Sequence, residues 1–227
     1  AIFARAADLD GDSVDDVLAV GSDDDKVTWF KNDGNGVFTE QTAIAGSSDL
    51  NQPDHAQAAD LDGDGDLDVI TVSFLDDKVA WHENNGSGFF GVQRVINSTS
   101  DGATFVEVGD VDGDGDLDVL SASEYDNTIA WYPNDGNGSF SSGQVVISTL
   151  ALSPRMIAVA DMDADGDLDV LSAAAGDGNV AIYENNGSGV FAAMRTLSSE
   201  AQALAVHPAD LDGDGDLDVV FGSRSPD

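Results

Sequence analysis

No cysteine occurs in the 227 residues, which excludes disulfides and thiolate metal sites and is compatible with any compartment. Basic residues are scarce: 8 Lys and Arg stand against 44 Asp and Glu, for a formal net charge of −36. They are spread singly, so no basic patch exists, and a chain of this charge repels nucleic acid and anionic membranes. No apolar run approaches the ~20 residues of a membrane span. No signal peptide opens the chain; Ala1 falls inside a repeat, and a targeting segment is expected to be missing from it. Helical 3.6-residue periodicity is also missing. What remains is a hydrophobic content of 41%, enough to exclude wholesale disorder, in a chain long enough to bury a core.

Against that background one acidic nonapeptide recurs five times, and its first aspartates lie 52, 50, 51 and 49 residues apart. The odd-numbered places of the copies are the candidate metal ligands. In loop one they are Asp8, Asp10, Asp12, Val14 and Asp16. Loop two has Asp60, Asp62, Asp64, Asp66 and Asp68; loop three has Asp110, Asp112, Asp114, Asp116 and Asp118. Loop four has Asp161, Asp163, Asp165, Asp167 and Asp169; loop five has Asp210, Asp212, Asp214, Asp216 and Asp218.

So many carboxylates in nine residues repel one another unless a cation sits among them. Asp at places 1, 3 and 5 sets three carboxylates on one side of a bend, and Gly at place 6 allows the positive φ that turns the chain. Place 7 would offer its backbone carbonyl, which is why Val14 is tolerated there, and the aspartate at place 9 closes the cage. Hard oxygen ligands in this number suit Ca²⁺ better than Zn²⁺ or Mg²⁺. Five such ions would bring the formal charge from −36 to −26. An EF-hand is rejected, because place 12 counted from Asp60 is Thr71, inside an apolar run. Five solvated acidic turns without metal are the bland alternative. Loop one carries Ser13 at place 6, so strain or weaker binding is expected there.

The surrounding pattern repeats with the loops. A short segment precedes each one and ends on Ala7, Ala59, Gly109, Ala160 or Ala209, which suggests close approach of neighbouring backbones. An apolar run follows, as in Val69-Ile-Thr-Val72, then a tight two-residue turn such as Asp76-Asp77. A third segment carries Trp29, Trp81, Trp131 or Ile182, and a turn of the type Asn84-Asn-Gly-Ser-Gly88 ends it. Phe38, Phe90, Phe140 and Phe191 sit at or near the head of a fourth segment closing on Ile44, Ile96, Ile147 and Leu197. Four antiparallel strands repeated about every fifty residues predict an all-β fold, a β-propeller of four-stranded blades. The units run over residues 1–52, 53–102, 103–153 and 154–202, with a partial fifth over 203–227 whose next turn would fall at Asp227. The chain is expected to be a segment of a longer propeller.

These loops resemble the Asp-x-Asp-x-Asp-Gly-x-x-Asp motif of FG-GAP (VCBS-type) repeats, known from integrin α-subunit propellers and many bacterial and algal surface proteins. The Leu-Asp-Val that follows most of them and the Asn-x-Gly-x-Gly-x-Phe turn fit the same repeats, over essentially the whole chain. The resemblance implies a calcium-stabilised propeller on an extracellular or cell-surface protein, without naming a ligand.

Outside the loops, His55 and His207 stand at different repeat places, and His82 replaces Phe30, Tyr132 or Tyr183; all three read as structural. No nucleophile elbow or His-Glu-x-x-His motif occurs, so no enzyme is expected. The tryptophans could be sugar platforms, but Ile182 in the fourth copy argues for packing between blades. Lys26 and Lys78 share a place held elsewhere by Thr128 and Asn179 and read as solvated. Sequons at Asn85, Asn97, Asn137 and Asn186 hint weakly at secretion. The expected function is a calcium-binding structural or adhesion-type module with a protein or glycan partner. The alternative is a lectin, or the accessory propeller of a carbohydrate-active enzyme.

Overall fold

The branched and apolar run after each acidic loop has the composition of a strand covered on both faces, and in the computed structural model it becomes the second strand of a blade. Residues 2–199 and 202–224 are described, and their regular structure is all strand; the turn expected at Asp227 lies outside them. Blade one comprises β1 (Phe3–Ala7), β2 (Asp16–Gly21), β3 (Lys26–Asn32) and β4 (Phe38–Glu40). Blade two comprises β5 (Pro53–Ala59), β6 (Asp68–Ser73), β7 (Lys78–His82) and β8 (Arg94–Asn97). Blade three holds β9 (Ala103–Gly109), β10 (Asp118–Ser123), β11 (Thr128–Tyr132) and β12 (Val145–Ser148). Blade four holds β13 (Pro154–Ala160), β14 (Asp169–Ala174), β15 (Asn179–Tyr183) and β16 (Arg195–Ser199). Last, β17 (Ala203–Ala209) and β18 (Asp218–Ser223) pair as a two-stranded sheet.

Each complete blade is an antiparallel meander in chain order, and the first strands of successive blades lie side by side. This is the expected arrangement of propeller blades. Among the described residues no helix is long and apolar enough to cross a membrane.

The core lies between blades. Leu18 and Trp29 of blade one cluster with Ala56 and Val69 of blade two, and Trp81 of blade two clusters with Val106 and Val119 of blade three. The tryptophans are buried, so they are packing residues rather than sugar platforms. A Cβ on Gly88, Gly138 or Gly189 would fall 2.3, 2.4 or 2.2 Å from a ring carbon of Trp29, Trp81 or Trp131, each on the preceding blade. At about 25 cal/mol per Å², such a ring contributes at most roughly 4–6 kcal/mol. The second strands β6, β10 and β14 are buried throughout, whereas β18 is largely exposed.

Three local expectations need correction. The turns after the second strands are four-residue connections (22–25, 74–77, 124–127, 175–178), not two-residue ones. Only their last residue is left-handed, with φ of 48° at Asp25, 59° at Asp77, 58° at Asn127 and 72° at Gly178, whereas a two-residue type I′ turn needs two such residues. The fourth strands do not all close where expected, although the phenylalanines lie at or near their heads, with Phe38 beginning β4. Phe90 and Phe191 make single bridges to Asn84 and Asn185, and Phe90, Phe140 and Phe191 anchor in the core ahead of β8, β12 and β16; Ile44 lies outside β4. Finally, what crowds Gly109 is a side chain: its Cβ would stand 2.8 Å from Leu168 Cδ1 in loop four.

Candidate metal centres

Each acidic loop connects the first and second strands of a blade, with the small residue opposite the place-9 aspartate: Ala7 faces Asp16, Ala59 faces Asp68, and Gly109 faces Asp118. The place-1 carboxylate organises the loop by accepting backbone N–H bonds. Asp110 Oδ1 takes those of Gly113 (2.8 Å) and Asp114 (3.1 Å), and its Oδ2 takes that of Gly115 (3.0 Å). This wrap requires left-handed backbone at places 4 and 6 alike, with φ of 77° at Gly113 and 96° at Gly115. Place 4 therefore matters as much as place 6, a role not inferred from the sequence although its glycine recurs in four loops of five. Ala164 fills it in loop four at φ 62°, and Ser13 fills place 6 in loop one at φ 68°.

At place 9, Asp16, Asp68, Asp118 and Asp169 are buried, and both carboxylate oxygens accept backbone bonds. Asp68 takes the N–H of Leu61 (3.0 Å) on one oxygen and that of Asn84 (2.8 Å) on the other. Asn84 in turn donates from Nδ2 to Leu67 O and to Leu9 O of the preceding blade, both at 2.9 Å. Asn134 and Asn185 repeat the bridge to Leu61 O and Val111 O. The sequence marks these asparagines only as turn formers; their link between blades needs the fold. Among the described residues no asparagine bridges loop five in this way, and Asp218 is exposed.

The structure brings oxygens of places 1, 3 and 9 within 4.8 Å of one another in loops one, two, three and five, and those of Asp161, Asp163 and Asp165 in loop four. Asp12, Asp64, Asp114 and Asp214 at place 5 lie outside these clusters and accept the N–H of place 7, as Asp114 does from Asp116 (3.0 Å). Side chains at place 7 are also outside. The carboxylates of Asp66, Asp116 and Asp167 press against Gly86, Gly136 and Gly187 in their own blades, and Val14 stands against Gly34. Asp216 belongs to no cluster either.

The electrostatics of loops two to four call for a cation. Burial pushes the Asp68 carboxyl up to about 7 and that of Asp118 to about 6, and raises Asp169 and Asp16. Asp62, Asp112 and Asp163 are raised by desolvation first, then by the neighbouring Asp64, Asp114 and Asp165 charges. Among the described residues Asp112 Oδ1, like Asp10 Oδ1 in loop one, is buried without a hydrogen-bond partner. A donor set of carboxylates alone, one of them orphaned, fits a hard divalent ion. Loop one is different: the Lys31 ammonium pairs with Asp10 and Asp12, and its hydrogen bond holds Asp12 below the usual carboxylate range.

The histidines are packing residues where they are buried. His55 sits between Phe3 and Phe105, with ring centroids 4.0 and 3.8 Å away, and burial pushes its pKa down to about 3. His82 is buried and its Nδ1 lies 3.2 Å from Gly91 O. His207 lines a cavity of about 450 Å³ along the first strands, with Arg5 and Glu107. Lys26 pairs with Glu40 at the surface, whereas Lys78, expected to be solvated, is half-buried: it pairs with Asp76 and donates to Asp49 O at 3.0 Å.

Solved structures with a similar fold include an Agrocybe aegerita lectin that recognises non-reducing terminal N-acetylglucosamine. It is 22% identical with a TM-score of 0.60, over 86% of this chain and 51% of the lectin. The V. cholerae biofilm matrix protein Bap1 is similar at 19% identity and TM-score 0.52, over 96% of this chain and 34% of Bap1. BBS1N, solved in complex with ARL6DN, is similar at 14% identity and TM-score 0.64, over 97% of this chain and 61% of that one. The chain thus spans about half the length of the lectin, and at these identities the likeness is one of fold. No curated protein matches the chain. The model of the FG-GAP-like repeat matches residues 8–71, 60–121, 110–172 and 162–221, each match starting at or beside an acidic loop, and the chain belongs to that family.

Proposed function

We propose that this chain is a calcium-stabilised propeller segment serving as a non-enzymatic structural and interaction module of an extracellular or cell-surface protein. The observation that carries the reading is the recurrence of one carboxylate cluster at each loop, with the buried, unpartnered Asp112 Oδ1 in loop three. Bound calcium would supply the positive charge that these clusters lack. The chain's own residues would turn that neutralisation into rigidity. A ligand at places 1 and 3 holds the loop, and the place-9 aspartate holds the start of the second strand. Through Asn84 the same carboxylate is tied to the preceding blade. At 100 times its Kd, an ion binding only the folded state adds about 2.7 kcal/mol per site.

Thermal unfolding by circular dichroism in millimolar Ca²⁺, in Mg²⁺ and in EDTA tests this. A raised midpoint in calcium alone is the expected outcome, and an unchanged midpoint would sink the reading. A glycan partner is the second reading, favoured by the likeness to a lectin and a biofilm matrix protein. Reproducible binding on a glycan array in calcium would promote it, and silence across the array would remove it.

A further inference from the structure

Loop one differs from its copies through a side chain outside the nonapeptide. The residue after the one paired with the first valine of the second strand is Lys31 in blade one, but Glu83, Pro133 and Glu184 in blades two to four. Glu83 and Glu184 form ion pairs with Arg94 and Arg195 on the fourth strands. Lys31 instead turns to its own acidic loop. Its Nζ contacts Asp10 Oδ2 and stands 2.8 Å from Asp12 Oδ2, so it occupies carboxylates of both place 3 and place 5. The Asp10 side chain is only 10% exposed and belongs to the cluster of Asp8, Asp10 and Asp16, so this charge contact reaches the cluster through Asp10 Oδ2. Asp10 Oδ1 has no hydrogen-bond partner among the described residues, and Asp12 flanks the cluster. Further departures fall in the same loop: Ser13 at place 6, Val14 at place 7 and Asp15 at place 8, where the others carry glycine, aspartate and leucine.

We propose that loop one is not a calcium site: Lys31 is its permanent counter-ion, so blade one keeps its loop geometry without metal while its neighbours depend on it. The proposal rests on the calcium reading of the other loops. Calcium requires six to eight oxygens at close range, and an ammonium in contact with two of the carboxylates both removes ligands and repels a divalent ion. Being covalently attached, the ammonium is present at any calcium concentration. Calcium dependence would then be graded along the chain, with the first blade insensitive to it.

The experiment is equilibrium dialysis of calcium against the parent chain, Lys31→Met, Asp10→Asn and, as a control, Lys26→Met. Lys31→Met should bind one more calcium than the parent, while Asp10→Asn and Lys26→Met should bind as many as the parent. Where the parent chain binds calcium, loss of one calcium in Asp10→Asn, or no gain in Lys31→Met, would overturn the proposal while leaving the calcium reading of loops two to four intact. Melting in EDTA separates the two ideas further. If no variant binds calcium, the calcium reading fails alone. A lower midpoint of Lys31→Met in EDTA would then still assign Lys31 as counter-ion, and an unchanged midpoint would remove that role.

Discussion

Loops one and three are built on the same scaffold. In both, the place-1 aspartate wraps the bend by accepting backbone bonds, and the place-9 aspartate is buried and joins the loop to the Gly-rich turn. Burial raises the place-9 carboxyl in both, and one place-3 oxygen, Asp10 Oδ1 or Asp112 Oδ1, has no hydrogen-bond partner among the described residues. The difference lies in the charge beside place 3. Asp112 in loop three is raised by burial and by Asp114, and one of its oxygens has no partner. Around loop one the Lys31 ammonium draws Asp12 down. A repeat can thus preserve its geometry while one neighbouring side chain reverses what it needs, because backbone bonds set the shape and the nearest charges set the electrostatics.

The largest effect expected from breaking this comparison is at place 3. Asp112→Ala should cost about 2–3 kcal/mol in calcium, as loss of a charged ligand does, and nothing in EDTA, where it relieves repulsion. Asp10→Ala should lower the midpoint equally in both conditions, since its partner is Lys31. Paired thermal melts check this, and a calcium-dependent loss at Asp10 would erase the distinction.

Proton binding sharpens it next. In EDTA the folded chain holds protons on Asp68 and Asp118, at about 7 and 6, which the unfolded chain releases until near 4. The folded state therefore binds more protons, and stability should rise as pH falls from 8 to 6.5. In saturating calcium the trend should reverse, because protons compete with the ion. Below 6.5 the buried His55, held near 3, works the other way: the unfolded chain gains a proton that the folded one refuses, which offsets part of the gain from Asp68 and Asp118 and flattens the rise. His55→Phe should therefore steepen the rise in stability in EDTA melts from pH 6.5 to 4.5; an unchanged acid limb would assign the flattening to other groups.

The smallest effect concerns backbone. Ser13→Gly in loop one should stabilise by about 0.5–1 kcal/mol, the left-handed penalty less the entropy of glycine. Ala164→Gly at place 4 of loop four should do likewise, given its φ of 62°. Denaturant midpoints at constant m-value read both.

Much of this molecule is legible along the chain because its determinants are local. The fifty-residue period, the strand after each acidic loop and the tryptophans facing the next blade follow from spacing and side-chain type. The spacing sets places 1, 3 and 5 on one side of each bend, whereas the structure gathers places 1, 3 and 9 in four loops and places 1, 3 and 5 only in loop four. Place 4 escaped notice because a recurring glycine does not declare which φ it adopts. The asparagines of the Gly-rich turns bond carbonyls 73 to 75 residues away, a separation no local pattern carries. Lys31 reads as one scattered cation in an acidic chain until the β2–β3 pairing brings it beside a loop about twenty residues earlier. The sequence by itself determined the family, the blade and the inventory of acidic ligands, since all three rest on residue type at fixed spacing. Only the tertiary structure decided which carboxylates are buried, which are left without a partner and which already have a cation, because desolvation and charge pairing depend on neighbours distant in the chain.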